Sequence, residues 1–145
     1  TLGLLRRVRG VTPDEKTMLK AADAFDEKVW EREMRRVFGG TAQTLIDKEH
    51  ITWHKNDSGA RMARFARIRD HWSDILSIMD EELPDPAETV ALMRSQRLPV
   101  TPAEIGVTDR QTRDAFIHSR DIRDKYLTSS MLWDMGLLDT FPLEI

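Results

Sequence analysis

Two histidines four residues apart have the spacing that most directly suggests metal chemistry. His50 and His54 lie in the stretch KEHITWHKND, and on a helix this spacing points both imidazoles to one side, as a two-histidine metal site requires. Glu49 and Asp57 would then supply oxygen ligands. In an extended segment the two rings would instead lie roughly 13 Å apart, too far to share an ion. Because short motifs often occur by chance, we favour exposed or capping histidines over a metal hydrolase built on this pair.

Basic residues form two groups that could bind phosphate. One is the run Arg-Arg-Val-Arg at residues 6–9, and the other comprises Arg61, Arg64, Arg67 and Arg69. The alternative to a phosphate or nucleic-acid patch is a solvated face that pairs with acidic neighbours. We favour the solvated face, because the chain has a net charge of −3 and no glycine-rich or aromatic readout motif accompanies either group.

No other group of residues has the spacing of an active site. No serine lies in a nucleophile-elbow pattern, and the carboxylates form no pair beyond those that helix surfaces produce by chance. His118 and Ser119 are interpreted as side chains on adjacent faces of a helix. The tryptophans are interpreted as core anchors, namely Trp30, Trp53, Trp72 and Trp133. We therefore assign no catalytic, cofactor-binding or metal-binding residue within the chain.

The bulk composition is typical of one domain. A chain of 145 residues with 40% hydrophobic content can form a single packed core over residues 1–145 without disulfides or metal. Its net charge and its pI near 5.8 provide no overall attraction to nucleic acid or to an anionic membrane. No apolar run approaches the ~18 residues of a membrane span. The chain contains no cysteine, and we expect a cytoplasmic location.

Four short motifs predict the starts of helices. Each places a capping residue three positions before Glu or Gln, and the capping residues are Thr12, Asp85, Thr101 and Thr108. Proline follows the first three, at a position where its missing N–H breaks no hydrogen bond. The last two motifs and Gly106 between them predict a one-turn helix and then a new helix start, so residues 98–111 form a corner.

Apolar spacing predicts the helix faces and an all-α, multi-helix bundle. One helix of about 24 residues is expected from Asp57, because apolar residues recur at steps of three and four: Met62, Phe65, Ile68, Trp72, Ile75, Met79 and Leu83. A shorter apolar stripe over residues 25–38 predicts a helix that ends at Gly39. Two further helices are predicted over residues 109–125, with Ile122 and Tyr126 inward, and over residues 129–135.

The C-terminal part of the chain resembles a known enzyme family. Residues 83–138 contain the succession PVTPAEIGVT, a helix and the segment IRDKYLTSSML. This succession is similar to the C-terminal end of the glycerol-1-phosphate dehydrogenase family, which belongs to the iron-dependent alcohol dehydrogenase and dehydroquinate synthase-like group. The segment Thr1-Leu2-Gly3-Leu4-Leu5 resembles the helix that follows the family's last metal-binding histidine. By this resemblance, the chain is a fragment that starts just after that ligand.

The resemblance implies a parent enzyme with two domains, an N-terminal nucleotide-binding α/β domain and a C-terminal helical domain. The parent would reduce dihydroxyacetone phosphate, or a related polyol phosphate ketone, with NAD(P)H and a divalent metal such as zinc, nickel or iron. We expect this chain alone to be inactive and to bind neither group tightly. Its partner would be the N-terminal domain, and an uncovered apolar surface would favour a homo-oligomer that pairs through the first helix.

The alternative hypothesis is a stand-alone helical module that holds a protein partner in an apolar groove. Under either hypothesis we expect no nucleic-acid partner and no membrane partner.

Overall fold

The computed structural model describes residues 2–143, apart from the side chain of Leu2, and all regular elements within them are helical. The α-helices are α1 (Leu2–Val8), α2 (Glu15–Asp23), α3 (Glu27–Phe38), α4 (Ala42–Lys48), α5 (Ser58–Asp70), α6 (Trp72–Glu82), α7 (Pro86–Ser95), α8 (Asp109–His118) and α9 (Thr128–Asp134). The predicted all-α class is therefore confirmed, and no strand occurs in this part of the chain. No helix within residues 2–143 is long and apolar enough to cross a membrane. Thr1, which the family resemblance includes, lies outside the described residues.

Two of the predicted caps form as the sequence indicates. The Asp85 carboxylate accepts hydrogen bonds from the backbone N–H groups of Ala87 and Glu88, at 2.7 and 3.2 Å, and begins α7. Thr108 and Gln111 form a reciprocal capping box at the start of α8. Between these starts, Pro102–Ile105 makes one 3₁₀ turn that ends at Gly106, whose φ of 73° is readily adopted by glycine. The predicted corner is therefore confirmed.

The other two predicted caps are wrong in detail. Helix α2 begins at Glu15, and its cap is Asp14, which accepts from the backbone N–H of Thr17 at 2.8 Å. Thr12 lies two residues before this cap. Because Asp14 supplies the acceptor for the first turn, Thr12 is not the capping residue. Thr101 makes no capping hydrogen bond with its side chain, which instead donates to Glu104 at 3.0 Å.

The predicted long helix from Asp57 is divided in two. The Asp57 side chain caps α5 by accepting from the N–H of Ala60 at 2.7 Å. At His71 the backbone leaves helical geometry (φ −115°, ψ 21°), and α6 begins at the next residue. Apolar residues on both sides of this break pack against the same core, so the division keeps one continuous apolar face. Met62, which is 47% exposed, is excluded from that face.

Helix α3 ends at Gly39 as predicted, with φ 52°, but α8 ends earlier than predicted. Helix α8 stops at His118 rather than near Lys125. The Ser119 hydroxyl donates to the carbonyl of Phe116 at 2.7 Å and so competes with the backbone hydrogen bonds that would extend the helix. The predicted inward position of Ile122 is wrong, since this residue is 49% exposed. Tyr126 is 56% exposed as a whole residue, and its hydroxyl reaches the interior, where it donates to the buried Asp134.

Two apolar clusters form the core. The larger cluster joins α1, α2, α5 and α9 to the C-terminal turn, with Val8, Met18, Phe65, Ile68, Met131, Leu132, Met135, Leu138 and Phe141 buried. The smaller cluster joins α3 to α4 through Trp30, Met34, Ala42 and Ile46. Helix α9 ends at Asp134, and its C-cap Met135 is followed by Gly136 (φ 74°), which confirms the predicted stop to within one residue. A Cβ at Gly136 would lie 2.7 Å from the carbonyl oxygen of Thr17, so this glycine allows α9 and α2 to approach closely.

Candidate functional site

Charged side chains lie in the interior where α5, α9 and the segment after α8 meet. The buried members are Glu49, Arg61, Arg120, Asp121 and Asp134. Removing an ion from water costs several kcal/mol unless good partners replace the water. We therefore define these five residues, together with Lys55, Arg64 and Tyr126, as the buried charge cluster.

Asp134 on α9 is the most heavily bonded acid of the cluster. Its carboxylate, 1% exposed, accepts two parallel hydrogen bonds from the guanidinium of Arg64, both at 2.8 Å. Tyr126 donates a third through its hydroxyl at 2.7 Å. Burial lowers the pKa of Arg64, but its hydrogen bond to Asp134 and the charge of that carboxylate outweigh burial, so the pKa is raised. Arg64 therefore stays cationic and holds α5 against α9.

Two further arginines contact the indole of Trp133. The guanidinium carbons of Arg61 and Arg120 lie 4.1 and 4.3 Å from the centre of its ring, within range for cation–π attraction. Arg61 also donates to the carbonyl of Trp133 at 2.6 Å. Burial lowers the pKa of Arg61 to about 10 and is also the main cause of the lowered pKa of Arg120. Burial thus disfavours the charged form of both arginines.

Arg120 follows α8, where a 3₁₀ turn carries it inward together with Asp121. It donates to the side-chain oxygen of Asn56 at 2.7 Å and lies 3.3 Å from an oxygen of Asp121. The other oxygen of Asp121 lies 3.0 Å from Nδ1 of His118, which is also buried. The early end of α8 therefore creates this part of the cluster, because a continued α-helix would direct these side chains differently.

The remaining members come from a π-helical turn at Glu49–Trp53 and the residues after it. Glu49 accepts from the backbone N–H of Asn56 at 2.6 Å. Lys55 donates to the carbonyls of Arg120 and Arg123 at 2.7 and 2.6 Å, and its ammonium lies 4.2 Å from the ring centre of Trp53. Burial lowers the pKa of Lys55, and the charge of Arg120 adds to this effect. Single π-helical turns of this kind occur frequently at functional sites.

A cavity of about 180 Å³ adjoins the buried charge cluster, and we name it the cluster cavity. Its lining residues are Trp53, Lys55, Arg64, Arg120, Asp124, Lys125, Tyr126, Ser130, Trp133 and Asp134. Four of these side chains are cations and two are carboxylates. The cavity therefore has the electrostatic character of an anion site and contains no activated nucleophile.

Several buried polar atoms in or near the buried charge cluster have no hydrogen-bond partner within the described residues. They are Nε of Arg61, Nε of Arg120, Nδ2 of Asn56 and Nε1 of Trp133. Trp30, in the smaller core cluster, has an unpartnered Nε1 as well. All of these atoms are hydrogen-bond donors, and leaving a buried donor unsatisfied costs about 1–3 kcal/mol.

A second and larger cavity of about 620 Å³ lies on the other side of Ser129 and Ser119, and its walls are mainly apolar. Helix α1, the corner at residues 100–102, α8 and the start of α9 line it. The hydroxyl oxygens of Ser119 and Ser129 lie 2.7 Å apart in its wall. The two hydroxyls satisfy each other, so neither is placed as a nucleophile with a base.

The histidine pair of the sequence does not gather metal ligands. His50 is exposed and its Nε2 lies 3.0 Å from a carboxylate oxygen of Glu27, while its ring faces Trp30 at 6.1 Å. His54 ends the π-helical turn in the left-handed region, with φ 48°. Within residues 2–143, no three His, Asp or Glu side chains are grouped so that they could hold a metal ion. Both histidines are exposed, as predicted.

The interpretation of the α5 arginines as a solvated face is wrong for two of them. Arg61 and Arg64 point into the charge cluster, whereas Arg69 is exposed and pairs with Asp70 and Glu15 as predicted. The basic run at residues 6–9 also forms the predicted surface pairs, between Arg6 and Asp85 and between Arg9 and Asp80. Arg64 differs from the exposed Arg69 because it pairs with the buried Asp134. Asp134 lies 70 residues away in the sequence, so the spacing of residues within α5 could not indicate this pair.

The interpretation of His118 and Ser119 as two side chains on adjacent helix faces is also wrong, because α8 ends between them. The tryptophan prediction is confirmed for Trp30, Trp72 and Trp133, which pack in or against the two clusters. Trp133 also contacts arginines, whereas Trp53 contacts lysines. One signal in the sequence could have indicated this site. Asp134 directly follows the apolar residues Met-Leu-Trp in SSMLWDMG, and an acid on a buried helix face requires a buried partner.

Large apolar side chains are exposed along residues 78–105. Ile78, Leu92 and Ile105 are 60%, 66% and 63% exposed, and Val90 and Leu98 are also exposed. They lie on α6, on α7 and at the corner, and the ion pair of Arg94 with Glu104 at 2.7 Å joins α7 to that corner. We name these five apolar residues the α6–α7 apolar surface.

Comparison of the chain with protein-family models, with curated proteins and with solved structures finds no significant match. The class that the structure defines is thus an all-helical domain with a buried charge cluster and an exposed apolar surface.

Proposed function

We propose that the chain is the C-terminal helical domain of a metal- and NAD(P)-dependent polyol-phosphate dehydrogenase. The resemblance of residues 83–138 to the glycerol-1-phosphate dehydrogenase family supports this proposal. Those residues form α7, the corner, α8 and α9, which together make the C-terminal half of the fold. On this proposal, the helical fold corresponds to the helical domain of the dehydroquinate synthase-like group, and the protein acts in the cytoplasm.

The observation that carries the proposal is the α6–α7 apolar surface. On this proposal, the five exposed side chains adjoin one another and form an apolar patch of the kind that another domain or protein typically covers. This surface lies in, or directly before, the segment that resembles the family. We assign the N-terminal nucleotide-binding domain of the parent chain as its occupant, because the family places metal and substrate between two such domains.

The chain's own part in such an enzyme is to support the site rather than to perform the chemistry. Residues 2–143 hold no group of side chains suited to a metal ion, so the zinc, nickel or iron of the family has no ligand set here. We therefore derive no step of hydride transfer through these residues. The dihydroxyacetone phosphate-like substrate, NAD(P) and the metal would be bound by residues outside this chain.

The intact mass of the native protein tests the proposal. An antibody raised against the chain would isolate it from the cells that produce it, and mass spectrometry would measure its size. We expect a protein considerably larger than 16.8 kDa that oxidises NAD(P)H when dihydroxyacetone phosphate is added. Dihydroxyacetone without the phosphate is the matched control substrate. A native protein of 16.8 kDa would contradict the proposal and favour the stand-alone interaction module.

A pair of variants tests the assigned surface. Leu92→Glu places a charge on the α6–α7 apolar surface, and Val29→Glu places one on α3 at a residue that is 43% exposed. In the native protein, we expect the first to weaken domain packing and lower the reductase rate, and the second to leave both unchanged. Equal effects of both variants would contradict the assignment.

Calorimetry tests the supporting role of the chain. The 145-residue chain alone should show no tight binding of NAD or of a divalent metal. Tight stoichiometric binding would contradict the proposal that other residues of the parent enzyme bind these groups.

A further inference from the structure

We infer that the cluster cavity is a binding site for a phosphate-type oxyanion, held by Arg120, Lys55 and Arg64. This site belongs to the chain itself and does not depend on the proposed dehydrogenase.

The first support is the charge of the side chains that line the cluster cavity. The cations are Lys55, Arg64, Arg120 and Lys125, and the carboxylates are Asp124 and Asp134. Four positive charges thus line the cavity with two negative ones. An anion that enters the cavity offsets this excess of positive charge.

The second support is that buried hydrogen-bond donors of the cavity lining lack acceptors. Arg120 is 2% exposed, lines the cluster cavity and has an unpartnered Nε. Trp133 also lines the cavity, and its unpartnered Nε1 is a donor too. Because arginine and the indole N–H only donate, a ligand can satisfy them only by bringing acceptors. An oxyanion brings several acceptor oxygens and a charge together.

The third support is that the acids beside the cavity are already engaged. Asp134 accepts three hydrogen bonds from Arg64 and Tyr126, so the charges of Asp134 and Arg64 offset each other and Arg120 and Lys55 remain as the cations inside the cavity. Asp124 is exposed and water screens its charge. Lys125 is likewise exposed in the cavity wall and adds a cation on the solvent side. The volume of about 180 Å³ accommodates a tetrahedral oxyanion.

Titration of the full chain with inorganic phosphate tests this site by isothermal calorimetry, with chloride added to keep the ionic strength constant. We expect saturable binding of one phosphate per chain. Arg120→Met keeps the apolar stem but removes the guanidinium, and should weaken binding by about tenfold or more, as expected for a charge-assisted hydrogen bond. Lys125→Ala should weaken binding by about two- to fivefold, the effect of a partly screened cation.

Lys20→Ala on α2 is the matched control, because it removes an exposed lysine that does not line the cavity. If the Arg120 variant does not fold, as circular dichroism would show, the comparison of Lys125→Ala with Lys20→Ala decides the result. Equal weakening by both lysine variants would show diffuse surface attraction and overturn the site. Absence of saturable binding by the unaltered chain would overturn it as well.

Methyl phosphate distinguishes free phosphate from a phosphate ester as the natural source of the oxyanion. Binding at least as tight as that of inorganic phosphate assigns the site to an ester, and weaker binding assigns it to the free ion. Both results support an oxyanion site. The phosphate titration tests the oxyanion site independently of the proposed enzyme. A native mass of 16.8 kDa would contradict the proposed enzyme but would not change the titration.

Discussion

Replacing Asp134 by alanine is the sharpest test of the buried charge cluster. The carboxylate is 1% exposed and accepts hydrogen bonds from both sides of the Arg64 guanidinium and from the Tyr126 hydroxyl. Its removal leaves Arg61, Arg64 and Arg120 with one acid fewer in the interior. The variant therefore loses good hydrogen bonds and also exposes an uncompensated positive charge to a poorly solvating environment.

The expected loss in the free energy of unfolding is about 3 kcal/mol, the lower end of the range for breaking a buried ion pair. The lower end applies because the Arg64 side chain is 27% exposed, so water can partly replace the lost carboxylate. The pair of Arg36 with Asp114 is the matched control. It also has two hydrogen bonds, at 2.8 and 2.7 Å, but its side chains are 34% and 23% exposed and Arg36 has a second acidic partner in Glu33. Asp114→Ala should therefore cost much less.

Urea denaturation followed by tryptophan fluorescence measures both variants. A double-mutant cycle with Arg64→Met then isolates the coupling of Arg64 to Asp134 from the loss of each side chain alone. Equal losses for Asp134→Ala and Asp114→Ala would refute the reasoning, because burial is the main difference between the two pairs.

Three further predictions concern single residues. Gly136→Ala should cost about 2 kcal/mol or more, because it combines a φ of 74° with a Cβ only 2.7 Å from a carbonyl oxygen, whereas Gly106→Ala (φ 73°, open space) should cost about 1 kcal/mol in the same urea assay. Tyr126, the single tyrosine, should show tyrosinate absorbance only well above pH 10, because burial and the charge of Asp134 raise its pKa. Since the folded state binds this proton more tightly than the unfolded state, the contribution of Tyr126 to stability is present below about pH 10 and is lost as the pH rises; titration of the folded protein at its ordinary value would contradict this. Thr108→Ala should cost about 1 kcal/mol through loss of the capping box, and Thr101→Ala, whose side chain caps nothing, should cost clearly less in thermal unfolding.

Local chemistry made the corner at residues 98–111 predictable. The Thr108 cap involves its own chain three residues ahead, and Gly106 adopts its turn without help from distant parts of the fold. The same locality explains the confirmed ends of α3 and α9 at Gly39 and Gly136. The failure at Thr12 is also local, since two candidate caps lay two residues apart and Asp14 provides the acceptor.

The candidate site was not predictable in this way, because its partners are distant in sequence. Arg64 and Asp134 are 70 residues apart, and Arg120 and Asn56 are 64 apart. On α5 alone, Arg64 and Arg69 look alike, yet one binds a buried acid and the other lies in water. Spacing within a helix indicates which residues share a face, but not what the fold places opposite that face.

The sequence by itself determined the all-α class, several helix starts and ends, and much of the apolar faces that pack together, because each depends on neighbours within a few residues. Only the tertiary structure decided which arginines are buried, where α8 ends relative to its charged residues, and which donors surround the cluster cavity. Those outcomes depend on desolvation and on pairing between helices, and both exist only after the helices have packed.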